Sequence, residues 1–109
     1  MNYTSRRLFY DFLKKEVHTV RNLVVVERRR QAVERFLNYL DEAEFGKSLS
    51  RVTEGEITRY IEEKEHPFGR EHALRSLKRF FAFVTDVKEI MLDPTARITC
   101  APEPEEEDL

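Results

Sequence analysis

Apolar residues recur every three or four positions in four separate stretches of this chain, which is the period of helices with one buried face. The clearest stretch follows Gly69, where the stripe comprises Ala73, Leu74, Leu77, Phe80, Phe81 and Val84. This pattern predicts a helix from Arg70 to Phe83 or Asp86. The bases of this stretch fall largely outside the stripe, so the helix is expected to carry an apolar face and a basic face.

The N-terminal half predicts two helices joined by a very short connection. Ser5 is the expected N-cap of the first helix, which runs to about Arg21. Asn22 is the expected N-cap of the second, which runs from Leu23 to about Ala43 because the helical period continues past its β-branched start. The predicted buried positions are Leu8, Phe9, Phe12, Leu13, Val17 and Val20 in the first helix and Val26, Val33, Phe36, Leu37 and Leu40 in the second.

A third helix is predicted after Gly46, a residue favoured just beyond a helix end. Thr53 and Glu56 have the spacing of a capping box, which opens a helix from Glu54 to about Lys64. Its predicted buried residues are Ile57, Tyr60 and Ile61, and the three residues expected to form a last apolar anchor are Ile90, Met91 and Leu92. The expected fold is therefore an all-α orthogonal bundle of four main helices.

Charge is divided unevenly along the chain of 109 residues, which is the length of one domain. The chain has 19 Lys and Arg against 21 Asp and Glu, and five of these acids lie within residues 103–108, so the remainder has 19 bases against 16 acids. We expect a helical domain over residues 1–98 and a disordered acidic tail or linker over residues 99–109. The tail is either inert, which we favour, or a competitor for a basic face.

The residues for several kinds of chemistry are missing from the sequence. The three histidines, His18, His66 and His72, are far apart, and Cys100 is the single cysteine, so neither a metal site nor an internal disulfide is expected. No glycine-rich phosphate loop and no nucleophile motif occur, so we expect no cofactor and no catalytic activity. No apolar run is long enough to span a membrane, and a single cysteine fits the cytoplasm.

The stretch from Leu49 to Pro94 resembles the core-binding domain of tyrosine recombinases, the phage-integrase family. The family pattern is a capped helix, a variable loop, a helix with a Leu-x-x-Leu-x-x-Phe-Phe core and an Asn-Pro or similar exit. The matching residues are Thr53, Glu56 and Ile57, then Leu74, Leu77, Phe80 and Phe81, then Ile90, Asp93 and Pro94. Asn22, Val33, Phe36 and Leu40 extend the resemblance upstream, so that it covers about residues 5–98.

This resemblance implies a SAM-like helical bundle that grips duplex DNA and precedes a separate catalytic domain. The catalytic residues of the family belong to that second domain, so the chain is expected to be a non-catalytic domain. It is then either a piece of a longer site-specific recombinase or a free-standing relative. In isolation we expect a monomer, in the cytoplasm, that binds double-stranded DNA weakly.

A DNA-binding role requires bases clustered on one side, because phosphate neutralisation supplies most of the sequence-independent affinity. Consecutive arginines fan around a helix, so at least one of Arg28 to Arg30 is expected near the buried face. The candidate DNA-binding residues are Arg28, Arg29 and Arg30 on the second helix and Arg70, His72, Arg75, Lys78 and Arg79 on the fourth. The alternative function is a free-standing helical protein–protein interaction module.

Overall fold

Four α-helices account for most of the computed structural model, which describes residues 1–100. They are α1 (Tyr3–Thr19), α2 (Leu23–Ala43), α3 (Glu54–Lys64) and α4 (Arg70–Asp86), with short 3-10 turns at Leu49–Arg51 and Pro67–Gly69. No strand occurs among these described residues. The expected all-α class with four main helices is confirmed. The predicted tail over residues 99–109 lies outside the described residues from position 101 onward.

The helix starts are set by side-chain caps, and two of the three predicted caps are confirmed. Asn22 accepts the Val24 N–H at 2.9 Å, and Thr53 accepts the Glu56 N–H at 3.2 Å. The prediction of Ser5 as the first cap is wrong, because Asn2 takes that position and accepts the Ser5 N–H at 2.7 Å. Asn2 also donates to the Gly46 carbonyl at 3.2 Å, which fixes the helix start against the end of α2.

The core is built around aromatic rings contributed by all four helices. Phe36 of α2 makes edge contacts with Tyr60 of α3 and Phe81 of α4, at centroid distances of 5.0 and 6.0 Å. Phe12 of α1 makes an edge contact with Phe80 of α4 at 5.4 Å. Such edge-to-face pairs are favourable beyond the area that they bury. They lie in the larger of two clusters of buried residues, which extends across the four helices.

Some of the predicted apolar anchors are exposed instead. Ile90 is buried, but its neighbours Met91 and Leu92 are almost fully exposed, so only the first residue of that group enters the core. Val17 of α1 is about half exposed, whereas the adjacent Glu16 is buried. Leu8, Phe9, Phe12 and Val20 are buried as predicted, so the difference is confined to the last turn of α1, where Glu16 takes the inward position in place of Val17.

The end of α4 is a Schellman motif formed without glycine. Lys88 has a φ of 63°, its N–H donates to Thr85 O at 3.0 Å, and the Glu89 N–H donates to Val84 O at 3.2 Å. Glycine is favoured at this position because a side chain with a Cβ is strained in the left-handed region. The motif turns the chain back toward the core at Ile90.

Replacing Lys88 with glycine is expected to stabilise the protein. The gain should be about 1 kcal/mol, because the strain of a left-handed non-glycine residue is about 1–2 kcal/mol and glycine loses part of that in chain entropy. The measurement is urea denaturation followed by circular dichroism. Lys88→Ala is the matched control, since it removes the same charge but keeps the Cβ, and an equal gain from that variant would contradict the explanation.

Candidate nucleic-acid interface

A buried carboxylate joins α1, α2 and α4. Glu16 of α1 is 3% exposed, and its Oε2 accepts a hydrogen bond from Nη1 of Arg29 at 3.2 Å. Its Oε1 accepts a hydrogen bond from Nε of Arg79 in α4. Arg29 is 1% exposed and Arg79 is 41% exposed, so one guanidinium lies inside the protein and the other reaches solvent.

The helical period of α2 explains why Arg29 is buried. It lies three or four residues from Val25, Val26, Ala32 and Val33, which are all buried, so it occupies the middle of the apolar stripe. An arginine in that place requires a carboxylate, since an isolated charge in the core is strongly unfavourable. Glu16 supplies it from the facing helix. Arg29 is therefore unable to contact DNA, and its assignment as a DNA-binding residue is wrong.

The three consecutive arginines of α2 do not share a surface. Arg28 is exposed, and Arg30 lies roughly 200° further round the helix, on the opposite flank. Arg30 is held by two carboxylates, with Nη2 at 2.6 Å from Glu27 and Nη1 at 2.6 Å from Glu34. The hydrogen bond with Glu27 and the charges of both glutamates raise the pKa of Arg30 above its ordinary value. Its charge is neutralised locally, so Arg30 contributes little to a phosphate site.

Two of the predicted bases on α4 hold neighbouring parts of the backbone. Lys78 donates from Nζ to Thr95 O at 2.7 Å and to Ile98 O at 2.5 Å, which ties the segment after Pro94 to α4. Arg70 donates from Nη2 to Glu62 O at 2.6 Å and so links α4 to α3. Both side chains are half-buried. Both side chains have a structural role, since each donates hydrogen bonds to backbone carbonyl oxygens.

The remaining bases of α4 lie along one side of the helix. His72, Arg75 and Arg79 are spaced at i, i+3 and i+7, which places them within about two helical turns on one face. We call these three residues the α4 strip. His72 and Arg75 are half-buried and Arg79 is exposed. The structure thus brings together three of the eight residues that were predicted to bind DNA.

Arg79 is the best oriented member of the α4 strip. Its Nε donates to the buried Glu16, whereas its two terminal amino groups make no hydrogen bond or ion pair within residues 1–100. A guanidinium fixed through Nε leaves a fork of N–H donors that matches two oxygens of a phosphate. Because Glu16 is itself rigidly buried, Arg79 loses little conformational entropy on binding an anion.

The sequence alone did not identify two residues next to the α4 strip. Lys15 of α1 lies over the ring of Phe83 at 5.6 Å from its centroid, and Phe83 lies one turn after Arg79 on α4. Lys15 therefore extends the basic surface onto α1. Glu16 was not recognised either, although it lies four residues after Phe12 and so on the apolar face of α1.

Other kinds of site are not found in the described part of the chain. No group of three His, Cys, Asp or Glu side chains within residues 1–100 has a geometry that would hold a metal ion. None of the described helices combines the length and apolar character needed to cross a bilayer. Comparison of the chain with family models, curated proteins and solved structures gives no match. Function therefore has to be inferred from the residues of this chain.

Substitution of Glu16 is expected to be among the most destabilising changes in the protein. Glu16→Ala removes the buried carboxylate that pairs with the buried Arg29, which should lower the free energy of unfolding by about 3–5 kcal/mol. Arg79→Ala should lower the free energy of unfolding by less than about 1 kcal/mol, because Arg79 is partly exposed and the ion pair between Glu16 and Arg29 is retained. Urea denaturation of both variants measures the difference.

A double substitution provides the control. Glu16→Leu combined with Arg29→Met replaces the buried ion pair with apolar groups of similar size and should recover most of the lost stability. Equal losses for Glu16→Ala and Arg79→Ala, or no recovery in the double variant, would contradict the role assigned to the buried pair.

Proposed function

We propose that this chain binds the phosphate backbone of double-stranded DNA through the α4 strip. The observation that carries the proposal is Arg79, whose Nε donates to the buried Glu16 while the side chain remains 41% exposed. Arg75 and His72 continue the same side of α4 toward its N-terminal end. Arginine and histidine N–H donors at helical spacing suit successive phosphates of one strand, and such contacts position a protein without reading sequence.

We also propose that the chain is the core-binding domain of an integrase-like protein and has the SAM-like orthogonal bundle of that family. Support comes from the resemblance over residues 5–98 together with the observed order of four helices. The capped third helix and the buried Leu74, Leu77, Phe80 and Phe81 are the features that the resemblance requires. On this proposal the domain has no catalytic role, acts in the cytoplasm as part of a recombinase or a free-standing relative, and is monomeric alone.

The charge arrangement limits the strength of this binding. Arg29 is buried, Arg30 lies between two glutamates, and Lys78 is bound to two carbonyls. The contact surface is therefore one helix face with Lys15 at its border, rather than two helices acting together. We expect non-specific dissociation constants of about 10⁻⁴ to 10⁻⁶ M at physiological salt.

A second candidate function is supported by an exposed apolar surface on α1. Tyr10 and Val17 are more than half exposed, and Leu13 between them is partly buried. These three residues are spaced at i, i+3 and i+7 and form one apolar side of α1 with Lys14 and His18 beside it. Apolar surface of this kind favours a protein–protein interaction module.

Arginine substitutions should separate the two functions. Arg79→Ala is expected to raise the dissociation constant for a short duplex about fivefold, and to reduce the slope of log K against log salt by about 0.9, the value for one lost phosphate contact. Arg30→Ala removes the same charge but should change little, because Arg30 is already neutralised by Glu27 and Glu34. Fluorescence anisotropy over a range of salt concentrations provides the measurement.

Two results would argue against DNA binding by the α4 strip. One is the absence of duplex binding at low salt, which would favour the interaction module. The other is an equal loss of affinity in Arg79→Ala and Arg30→Ala, which would show that net charge, and not the oriented guanidinium, determines the affinity.

A further inference from the structure

A fully exposed aromatic ring lies immediately before α4. Phe68 is 96% exposed, yet the turn that carries it is well fixed. Its N–H donates to Nδ1 of His66 at 3.2 Å, the Gly69 N–H donates to His66 O at 2.8 Å, and Pro67 restricts the backbone between them. The imidazole ring of His66 lies 5.4 Å from the ring of Phe68. The turn therefore presents the Phe68 ring to solvent in a defined place.

Phe68 lies at the N-terminal end of α4, close in sequence to the first residue of the α4 strip. The 3-10 turn Pro67–Gly69 continues into α4 without an intervening residue. Phe68 thus lies four residues before His72, the first member of the α4 strip, and Arg75 and Arg79 follow along α4. An aromatic ring followed by a row of basic side chains combines a stacking group with phosphate contacts.

We propose that Phe68 is a base-contacting residue that inserts its ring beside an unstacked base of the DNA held by the α4 strip. This inference rests on the proposed function, since the basic residues must first place the backbone along α4. An apolar side chain that inserts between two stacked base pairs must first separate them, which is unfavourable in an undistorted duplex. In DNA that already contains an unpaired base, this separation is not required. The chain should therefore prefer DNA with a distorted base step over a uniform duplex.

The preference can be measured with two labelled duplexes of the same length, one of which contains a single unpaired adenine. The wild-type chain should bind the bulged duplex at least about fivefold more tightly, which is the lower end of the contribution of one base–aromatic stack. Phe68→Ala should bind both duplexes with equal affinity. Replacement of the unpaired adenine by 2-aminopurine should give a change in emission with the wild-type chain and none with Phe68→Ala.

Two control variants test whether the ring and its position matter. Phe68→Trp keeps a flat ring at the same place and should retain the preference. Phe45→Ala removes a ring that is also 96% exposed but follows α2, and it should leave the preference unchanged. None of these three substitutions removes a buried group, so each variant is expected to fold.

The possible failures of the two proposals are distinguishable. Salt-dependent binding without a preference for the bulged duplex, or a preference that survives Phe68→Ala, would overturn the role of Phe68 and leave the proposed function in place. Absence of salt-dependent binding to either duplex would overturn both.

Discussion

The burial of one carboxylate between two guanidinium groups determines how α1, α2 and α4 meet. Arg29 lies in the middle of the apolar stripe of α2, where a positive charge is tolerated only if an opposite charge reaches it. Glu16 provides that charge, and its second oxygen holds Arg79. The pair therefore fixes the rotation of α1 about its own axis, because Glu16 must face inward. The exposure of Val17 follows directly, since it is roughly 100° away on the helix.

Local signals in the sequence were sufficient where the determinant itself was local. The start of α2 at Asn22 and that of α3 at Thr53 each depend on one side chain and a backbone N–H two or three residues later. The start of α1 was missed because Asn2 and Ser5 are both suitable caps, and the choice depends on a contact between Asn2 and Gly46. Such a contact joins segments far apart in the chain, so no local pattern indicates it.

The candidate site was less predictable than the fold, because it too depends on contacts between segments that are far apart in the chain. Bases on a helix surface have no periodic signature that separates a phosphate ligand from a structural cation. Lys78 binds two carbonyls that follow Pro94, and Arg30 has a glutamate on each side, so their roles depend on partners rather than on their own positions. One signal was available in the sequence. Glu16 and Arg29 each interrupt an apolar stripe, and two opposite charges on facing stripes predict a buried pair.

The Glu16–Arg29–Arg79 group also couples stability to the proposed binding surface. The same carboxylate neutralises the buried Arg29 and orients the exposed Arg79. A substitution of Glu16 therefore affects both stability and the proposed binding surface. This arrangement gives a fixed guanidinium at the end of the α4 strip where α1 meets α4. On the proposed function, such a surface positions the phosphate backbone but contributes little to the binding free energy. On the proposed function, tighter binding requires a second contact, such as one from a partner domain or from a ring at the end of the helix that reaches the bases.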